Sequence, residues 1–246
     1  MTTAQIVICL AVFLVAGTVK GLVGLGLPAI FIGLTTLFLP LTEAMAMIAL
    51  PTVVTNLWQA AVGGNFRQIV RRQWLLVVPL AATLYLTMWL VGQRGPNWSF
   101  LVLGLVLIAY GTLGLLRVRL RIHPDLERPL RPVIGVVSGF VAGMVGVPVI
   151  PLMPYLQGLD IKPAELVQTL GVVLCATSLA LTVSLLDFGL LDGPRALVSA
   201  IAVVPAIAGM WLGQRVRRGL SIEQFRLAVF WALLLTGLYT FVTRAL

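Results

Sequence analysis

Seven or eight stretches of about 20 consecutive apolar residues run through this chain, and about 20 is the number a helix needs to cross the hydrocarbon core of a bilayer. Across 246 residues, 60% are apolar and 10% are charged, with a mean hydropathy of +1.06. An average soluble domain is roughly 25% charged. Too little polar surface remains to coat a water-soluble globule. The apolar content excludes a disordered chain, and two cysteines in 246 residues exclude a disulfide scaffold. The chain reads as an all-α polytopic membrane protein with the lipid bilayer as its surrounding partner.

The charge balance is 17 Lys+Arg against 8 Asp+Glu, a formal +9. The arginines cluster in short loops between apolar runs, which is the positive-inside pattern of cytoplasmic loops and argues against nucleic acid as a partner. Residues 1–5 carry no Lys or Arg, so the basic n-region of a cleaved signal peptide is missing there and the first apolar run reads as a retained segment. Cys9 and Cys175 each lie inside an apolar run, which suits buried structural thiols.

The first run, residues 4–41, is too long for one span. At about 1.5 Å per residue its 38 residues would make roughly 57 Å of helix. It must break, and the Gly/Pro cluster at 24–28 is the place. Further spans read as 44–62, 74–91 and 98–116, with Trp74 and Trp98 at span edges, where indoles favour the interface. A hydrophilic stretch, 117–131, with five arginines, His123, Asp125 and Glu127, separates these from 133–155, 166–186, 196–212 and 225–241.

The two halves share an order of elements. Gly17-x3-Gly21, Gly26-x-Pro28 and Ala44 in the first half are matched by Gly135-x3-Gly139, Gly146-x-Pro148 and Ala164 in the second, at offsets of 118 and then 120 residues. The motif from Trp89 to Arg94 resembles that from Trp211 to Arg215. The domains read as a first transmembrane repeat, 1–116, a basic cytoplasmic linker, 117–131, and a second transmembrane repeat, 132–246, each repeat holding about four hydrophobic segments of which the first is broken. Internal repeats are a common build of secondary transporters. If each half crossed four times, ten basic residues would face one side and six the other. If each broken first segment goes in and returns, the repeats are inverted. The loops at 67–72, 117–131, 157–165 and 214–226 then collect thirteen basic residues on one side and leave Arg94, Arg195 and Arg244 on the other. Positive-inside favours this inverted arrangement.

Non-helical backbone at membrane depth has to be buried in protein or line a polar cavity. Half-helix starts near Pro28 and Pro148 would present free N–H groups and partial positive charge to a small anion. The glycines would allow close backbone approach. Gly24, Gly26, Pro28, Gly146 and Pro148 are therefore candidate substrate-binding positions. Gly17, Gly21, Gly135 and Gly139 are as well explained by close helix packing. Polar side chains inside spans add Asn56, Gln168 and Thr169, with Thr55, Gln59, Thr177 and Ser178 nearby; Asn56, on the helix of Pro51, is the strongest single polar candidate, and an interhelical hydrogen bond is its equal alternative role. Lys20 is the one ionisable residue well inside a run of the first half, and either a counter-charge for an anion or snorkelling to the headgroups accounts for it.

No His/Cys cluster has metal spacing, no Walker loop occurs, and no acid pair or nucleophile constellation lies within a span. Neither enzyme chemistry nor a cofactor is expected, and no metal.

The glycine-rich run 17–28 after an apolar start, the helix carrying Ala44, Pro51 and Asn56, and the second Gly146-x-Pro148 together resemble the sulfite exporter TauE/SafE family of bacterial membrane transporters. The likeness covers nearly the whole chain, including its length and central basic linker. It implies a plasma-membrane permease for sulfur-containing anions such as sulfite, sulfoacetate or other organosulfonates. By motif match, Gly24, Gly26, Pro28, Asn56, Gly146 and Pro148 would be site or hinge positions. The chain has fewer consecutive glycines than the family pattern, since Leu22, Val23, Leu25 and Leu27 intervene. The expected mechanism is alternating access, with the two halves rocking about the paired breaks. The rival is a non-transporting membrane subunit or scaffold. A coupling ion, H+ or Na+, and a homo-oligomer are left open.

Overall fold

The computed structural model describes residues 2–91, 98–116, 121–216 and 222–245. Among these the chain forms ten helices and no strand: α1 (Thr3–Val23), α2 (Leu27–Thr35), α3 (Leu41–Ala61), α4 (Phe66–Val91), α5 (Trp98–Leu115), α6 (Pro124–Val145), α7 (Leu152–Gln157), α8 (Pro163–Asp187), α9 (Gly193–Val216) and α10 (Ile222–Ala245). Seven are long and apolar enough to cross a bilayer, and α10 carries a further apolar stretch, Leu227–Thr243. This is a multi-pass membrane protein. Its outward faces carry large apolar side chains such as Val204, Leu235 and Trp58, as a lipid-facing surface requires. Arg94, residues 117–120 of the basic linker, and Arg217 and Arg218 lie outside the described residues.

The order long, short, long, long, long occurs twice, in α1–α5 and in α6–α10. The first segment breaks where the sequence places the break. Gly24 closes α1 in the left-handed conformation (φ 84°), its N–H donating to Lys20 O at 2.7 Å. Gly26 (φ 102°) then opens α2, with Pro28 in its first turn. In the second half Gly146 (φ 76°) closes α6 with its N–H on Ala142 O at 2.8 Å. Pro148, however, does not start a helix. Residues 147–149 are non-helical, the Ile150–Pro151 peptide is cis, and α7 begins only at Leu152 and lasts six residues. The polar linker also differs from its expected form, because α6 begins at Pro124. A proline in the first turn with Asp125 and Glu127 behind it is a helix start that hydropathy alone reads as loop.

Contacts fix the directions of the helices. On α1 and α9, Gly17 meets the Ala206 backbone, Gly21 meets Met210, and Gly209 and Gly213 meet Leu14 and Thr18, so the two run the same way. On α6 and α4, Gly135, Gly139 and Gly143 meet Leu76, Leu80 and Leu84 in the same fashion. By contrast α3 and α8 are antiparallel, with Asn56 beside Ser178 and Ala60 beside Gln168. The tightest seams of the bundle therefore join a helix of one half to a helix of the other, and exchanging the halves maps α1–α9 onto α6–α4.

One end of the bundle gathers the starts of α4, α6 and α8. Arg72 donates from Nε and Nη2 to Glu127 at 2.9 and 3.0 Å and from Nη1 to Glu165 at 3.1 Å. Arg131 also pairs with Glu127, and Ile122 N–H reaches Gly158 O at 2.9 Å. At the opposite end Glu43 and Arg195 approach to 4.0 Å and Tyr85 OH donates to Asp187 at 3.1 Å.

Candidate substrate site

Pro51 shapes the helix that runs past the centre of the molecule. It has no N–H, so the Met47 carbonyl one turn earlier on α3 loses its donor. Ser199 of α9 supplies one: its Oγ donates to Met47 O at 3.0 Å and accepts from Leu50 N at 3.1 Å. Ser199 is fully buried. The proline announces in sequence that a partner is needed there, but nothing in the sequence names position 199.

Beyond Pro51, Thr55 and Asn56 turn toward α1 and meet Lys20. The Lys20 side chain is 3% exposed, so it does not snorkel to the surface. Its Nζ donates to Thr55 Oγ1 at 3.0 Å and to Asn56 Oδ1. The Thr55 hydroxyl spends its own proton on Pro51 O at 2.7 Å, which leaves its lone pairs free for the amine. The Asn56 amide donates to Leu174 O at 3.1 Å and to Ser178 Oγ at 3.5 Å, tying α3 to α8. Among the described residues no carboxylate comes within ion-pair distance of Lys20. All its hydrogen-bond partners are neutral.

Lys20 is one wall of a small cavity halfway along α3 and α8. Gly26 and Pro28 line it from the first break, Gly146 and Pro148 from the second, and Asn56 from α3. Thr52, Thr177 and Ser178 complete its polar wall, and Ile48, Leu174 and Leu181 its apolar one. Its volume of about 20 Å³ holds about one water-sized sphere. The structure thus brings together Lys20, Gly26, Pro28, Asn56, Gly146 and Pro148. It does not bring Gly24, Gln168 or Thr169 into this lining. Gly24 presents its carbonyl to Gln59 Nε2 at 3.0 Å, and Gln168 Nε2 donates to Ala60 O at 2.9 Å. Thr169 is buried within α8.

The chemistry of this cavity is lopsided. A buried amine faces hydroxyls, one amide and the start of α2. No side chain caps that start, Pro28 has no N–H, and the Leu27 and Ala29 N–H groups have no intrahelical acceptor. Every one of these groups except the hydroxyls and the Asn56 oxygen favours negative charge. The six-residue α7 is too short and starts too far from Pro148 to add a second helix end. The two breaks therefore contribute unequally.

The glycines of the Gly-x3-Gly pairs serve packing. A Cβ on Gly17, Gly21, Gly135 or Gly139 would lie 2.1–2.4 Å from a carbonyl oxygen of the facing helix. At Gly26 the nearest atoms would be 3.6 Å away, so only the left-handed backbone requires glycine there.

A family model described as TauE: Sulfite exporter TauE/SafE matches residues 9–240, nearly the whole chain. No curated protein and no solved structure matches it.

Proposed function

We propose that this chain, which belongs to the sulfite exporter TauE/SafE family, carries its anion through the cavity beside Lys20. Membership makes it a membrane transporter for sulfur-containing anions. The finer reading is a secondary permease of the bacterial inner membrane for sulfite, sulfoacetate or other organosulfonates. The observation that carries it is a fully buried lysine with neutral partners, set beside an uncapped helix start in the middle of the bundle. A bare cation at that depth costs several kcal/mol to desolvate, and an anion is the ligand that relieves the cost. Sulfite and sulfonate oxygens accept from both an amine and main-chain N–H groups.

The two halves are read as inverted copies, 1–116 and 132–246, joined by the linker 117–131. The end that gathers Arg72, Arg131 and the linker is read as cytoplasmic by the positive-inside rule. Reporter fusions at the C-terminus are then expected to be active outside the cytoplasm and silent inside it. A cytoplasmic signal would overturn the inverted assignment.

Alternating access takes a form suited to the interlaced helices. The seams α1–α9 and α4–α6 are backbone-to-backbone along rows of glycines, whereas α3 and α8 touch that way at Gly171, so this form keeps the two glycine-row seams intact and parts the molecule between α3 and α8. The bodies are α1–α2–α3–α9 and α4–α6–α7–α8, which meet along α3 and α8, where the cavity lies.

Flux of labelled sulfite or sulfonates into proteoliposomes tests the reading. The unmodified chain is expected to support flux, and Gly26→Leu and Gly146→Leu to abolish it with membrane insertion intact. Holding a non-glycine residue in the left-handed region costs about 1–2 kcal/mol per residue. That is enough to move a break but small beside a total stability of about 5–15 kcal/mol; at Gly146 the added Cβ must also displace the Ile32 and Met45 side chains. Undiminished flux in both variants would leave these glycines no role beyond packing. Absence of flux for every oxyanion from folded protein would favour the scaffold.

A further inference from the structure

Successive turns of α3 and α8 carry three different environments. Near the end opposite Arg72 and Arg131, Leu41 and Met45 of α3 and Leu185 of α8 border an outer cavity of about 110 Å³. One turn deeper, Ile48, Thr52 and Asn56 face Leu181, Ser178 and Leu174 around the central cavity. One turn deeper again, Gln59 faces Val167 and Gln168. Along α3 the positions step by three or four residues, and along α8 by three or four from Leu185 to Leu174 and then by seven, two turns, to Val167, so all three environments lie on the one face where the antiparallel pair meets.

What separates them differs on the two sides. Between the outer and central cavities stands Met45, 3% exposed, packed against Gly146 so closely that a Cβ there would be 3.0 Å from Met45 Cγ and 2.8 Å from Ile32 Cδ1. No hydrogen bond crosses this closure in the described residues. Below the central cavity the closure is polar. Gln59 Nε2 spends both protons, on Gly24 O at 3.0 Å and on Val167 O at 2.9 Å. Gln168 donates to Ala60 O at 2.9 Å and accepts from Asn65 N at 3.2 Å. The α3 and α8 backbones touch behind these amides, where a Cβ on Gly171 would be 2.5 Å from Ala60 N.

We infer that the substrate path runs between α3 and α8 past Lys20, gated on the outer-cavity side by Met45 against Gly146 and on the arginine-rich side by the Gln59 and Gln168 amides. The inference rests on the transport reading and adds the route and its two gates. The gates are unequal. Opening the outer one requires a flexible thioether chain to change rotamer. Opening the other breaks four hydrogen bonds in the interior and parts two backbones. The chain as it stands is occluded on both sides, with the thinner closure toward the outer cavity.

Cysteine accessibility tests this in vesicles of known sidedness. Thr52→Cys reports the central cavity in a chain also carrying Cys9→Ala and Cys175→Ala, with a membrane-impermeant anionic methanethiosulfonate as probe. Thr42→Cys, bordering the outer cavity, is the accessible control on that side. With both gates intact, Thr52→Cys is expected to react slowly from either side. Adding Met45→Ala should speed its reaction about tenfold from the Thr42 side alone. Adding Gln59→Ala with Gln168→Ala should do so from the arginine-rich side alone. Met45→Leu, which restores the volume, should restore protection and so separates a lost gate from a loosened fold. Unchanged rates in the gate variants, or loss of sidedness in a monodisperse variant, would overturn the proposal. The readout does not depend on substrate. Sided labelling without flux would retain the gates and remove the transport reading, whereas flux with unmoved labelling would do the reverse.

Discussion

Lys20→Met is expected to abolish sulfite binding while leaving the melting temperature of the empty protein equal or higher. The two effects have separate causes. In the empty protein Lys20 sits 3% exposed with neutral partners, Thr55 and Asn56. Keeping a charge there costs several kcal/mol after relaxation. Methionine fills a similar volume without that cost. It does strip a donor from Asn56 Oδ1, a loss of about 1–3 kcal/mol if nothing replaces it, but the cavity has room for one water at that oxygen. The balance favours the variant. With anion bound the sign reverses, because removing one partner of a buried charged pair costs about 2–5 kcal/mol, or roughly 30-fold and upward in Kd. Thermal melts in detergent with and without sulfite measure both. Sulfite should raise the melting temperature of the unmodified chain and not that of the variant. A sulfite-dependent shift that survives in Lys20→Met would remove this residue from the site. A fall in melting temperature of the empty variant would give Lys20 a structural role instead.

Gly21→Leu is expected to prevent recovery of monodisperse protein. A Cβ at this position would stand 2.1 Å from the Met210 carbonyl oxygen, and no side-chain rotation relieves a clash between Cβ and backbone. The helices would have to part by roughly 1 Å or more. Parting them also opens the neighbouring contacts of Gly209 with Leu14 and Gly213 with Thr18. Overpacking costs typically about 1–3 kcal/mol and more where backbones must move, a large share of a total of about 5–15 kcal/mol. Gly193→Leu is the matched control, since a Cβ there meets nothing within 4 Å. It should purify normally. Normal yield and unchanged melting of Gly21→Leu would show that the α1–α9 seam yields more readily than its geometry implies.

Much of this architecture is written in local chemistry. The break at 24–28 is legible because a 38-residue apolar run cannot cross once, and Gly24, Gly26 and Pro28 are the residues that end one helix and start another. The second break is legible at Gly146 but not beyond it. Matching Pro148 to Pro28 assumes equal geometry, whereas the chain stays non-helical through Pro148 and a turn at 150–151 before α7 begins at Leu152. Asn56 and Lys20 are legible as polar residues in apolar surroundings. Their meeting is not, because it depends on how α1 packs beside α3. The bond of Asn56 to Leu174 likewise depends on the antiparallel crossing of α3 and α8. Ser199 was hidden, and so were the partners of Gln59, for the same reason: each side chain answers a backbone carbonyl on another segment, and a hydrogen bond to main chain leaves no mark in the sequence of its acceptor.

The seams that cross between the halves set a condition on how the protein is made. Rows of glycine on α1 are shaped for α9, which begins at Gly193, and those on α6 for α4. During synthesis α1 enters the bilayer before α9 and stays without that neighbour until the residues from Gly193 to Val216 have left the ribosome. The two halves expressed as separate polypeptides would each display an unfilled furrow, and only together in one membrane would they find their partners.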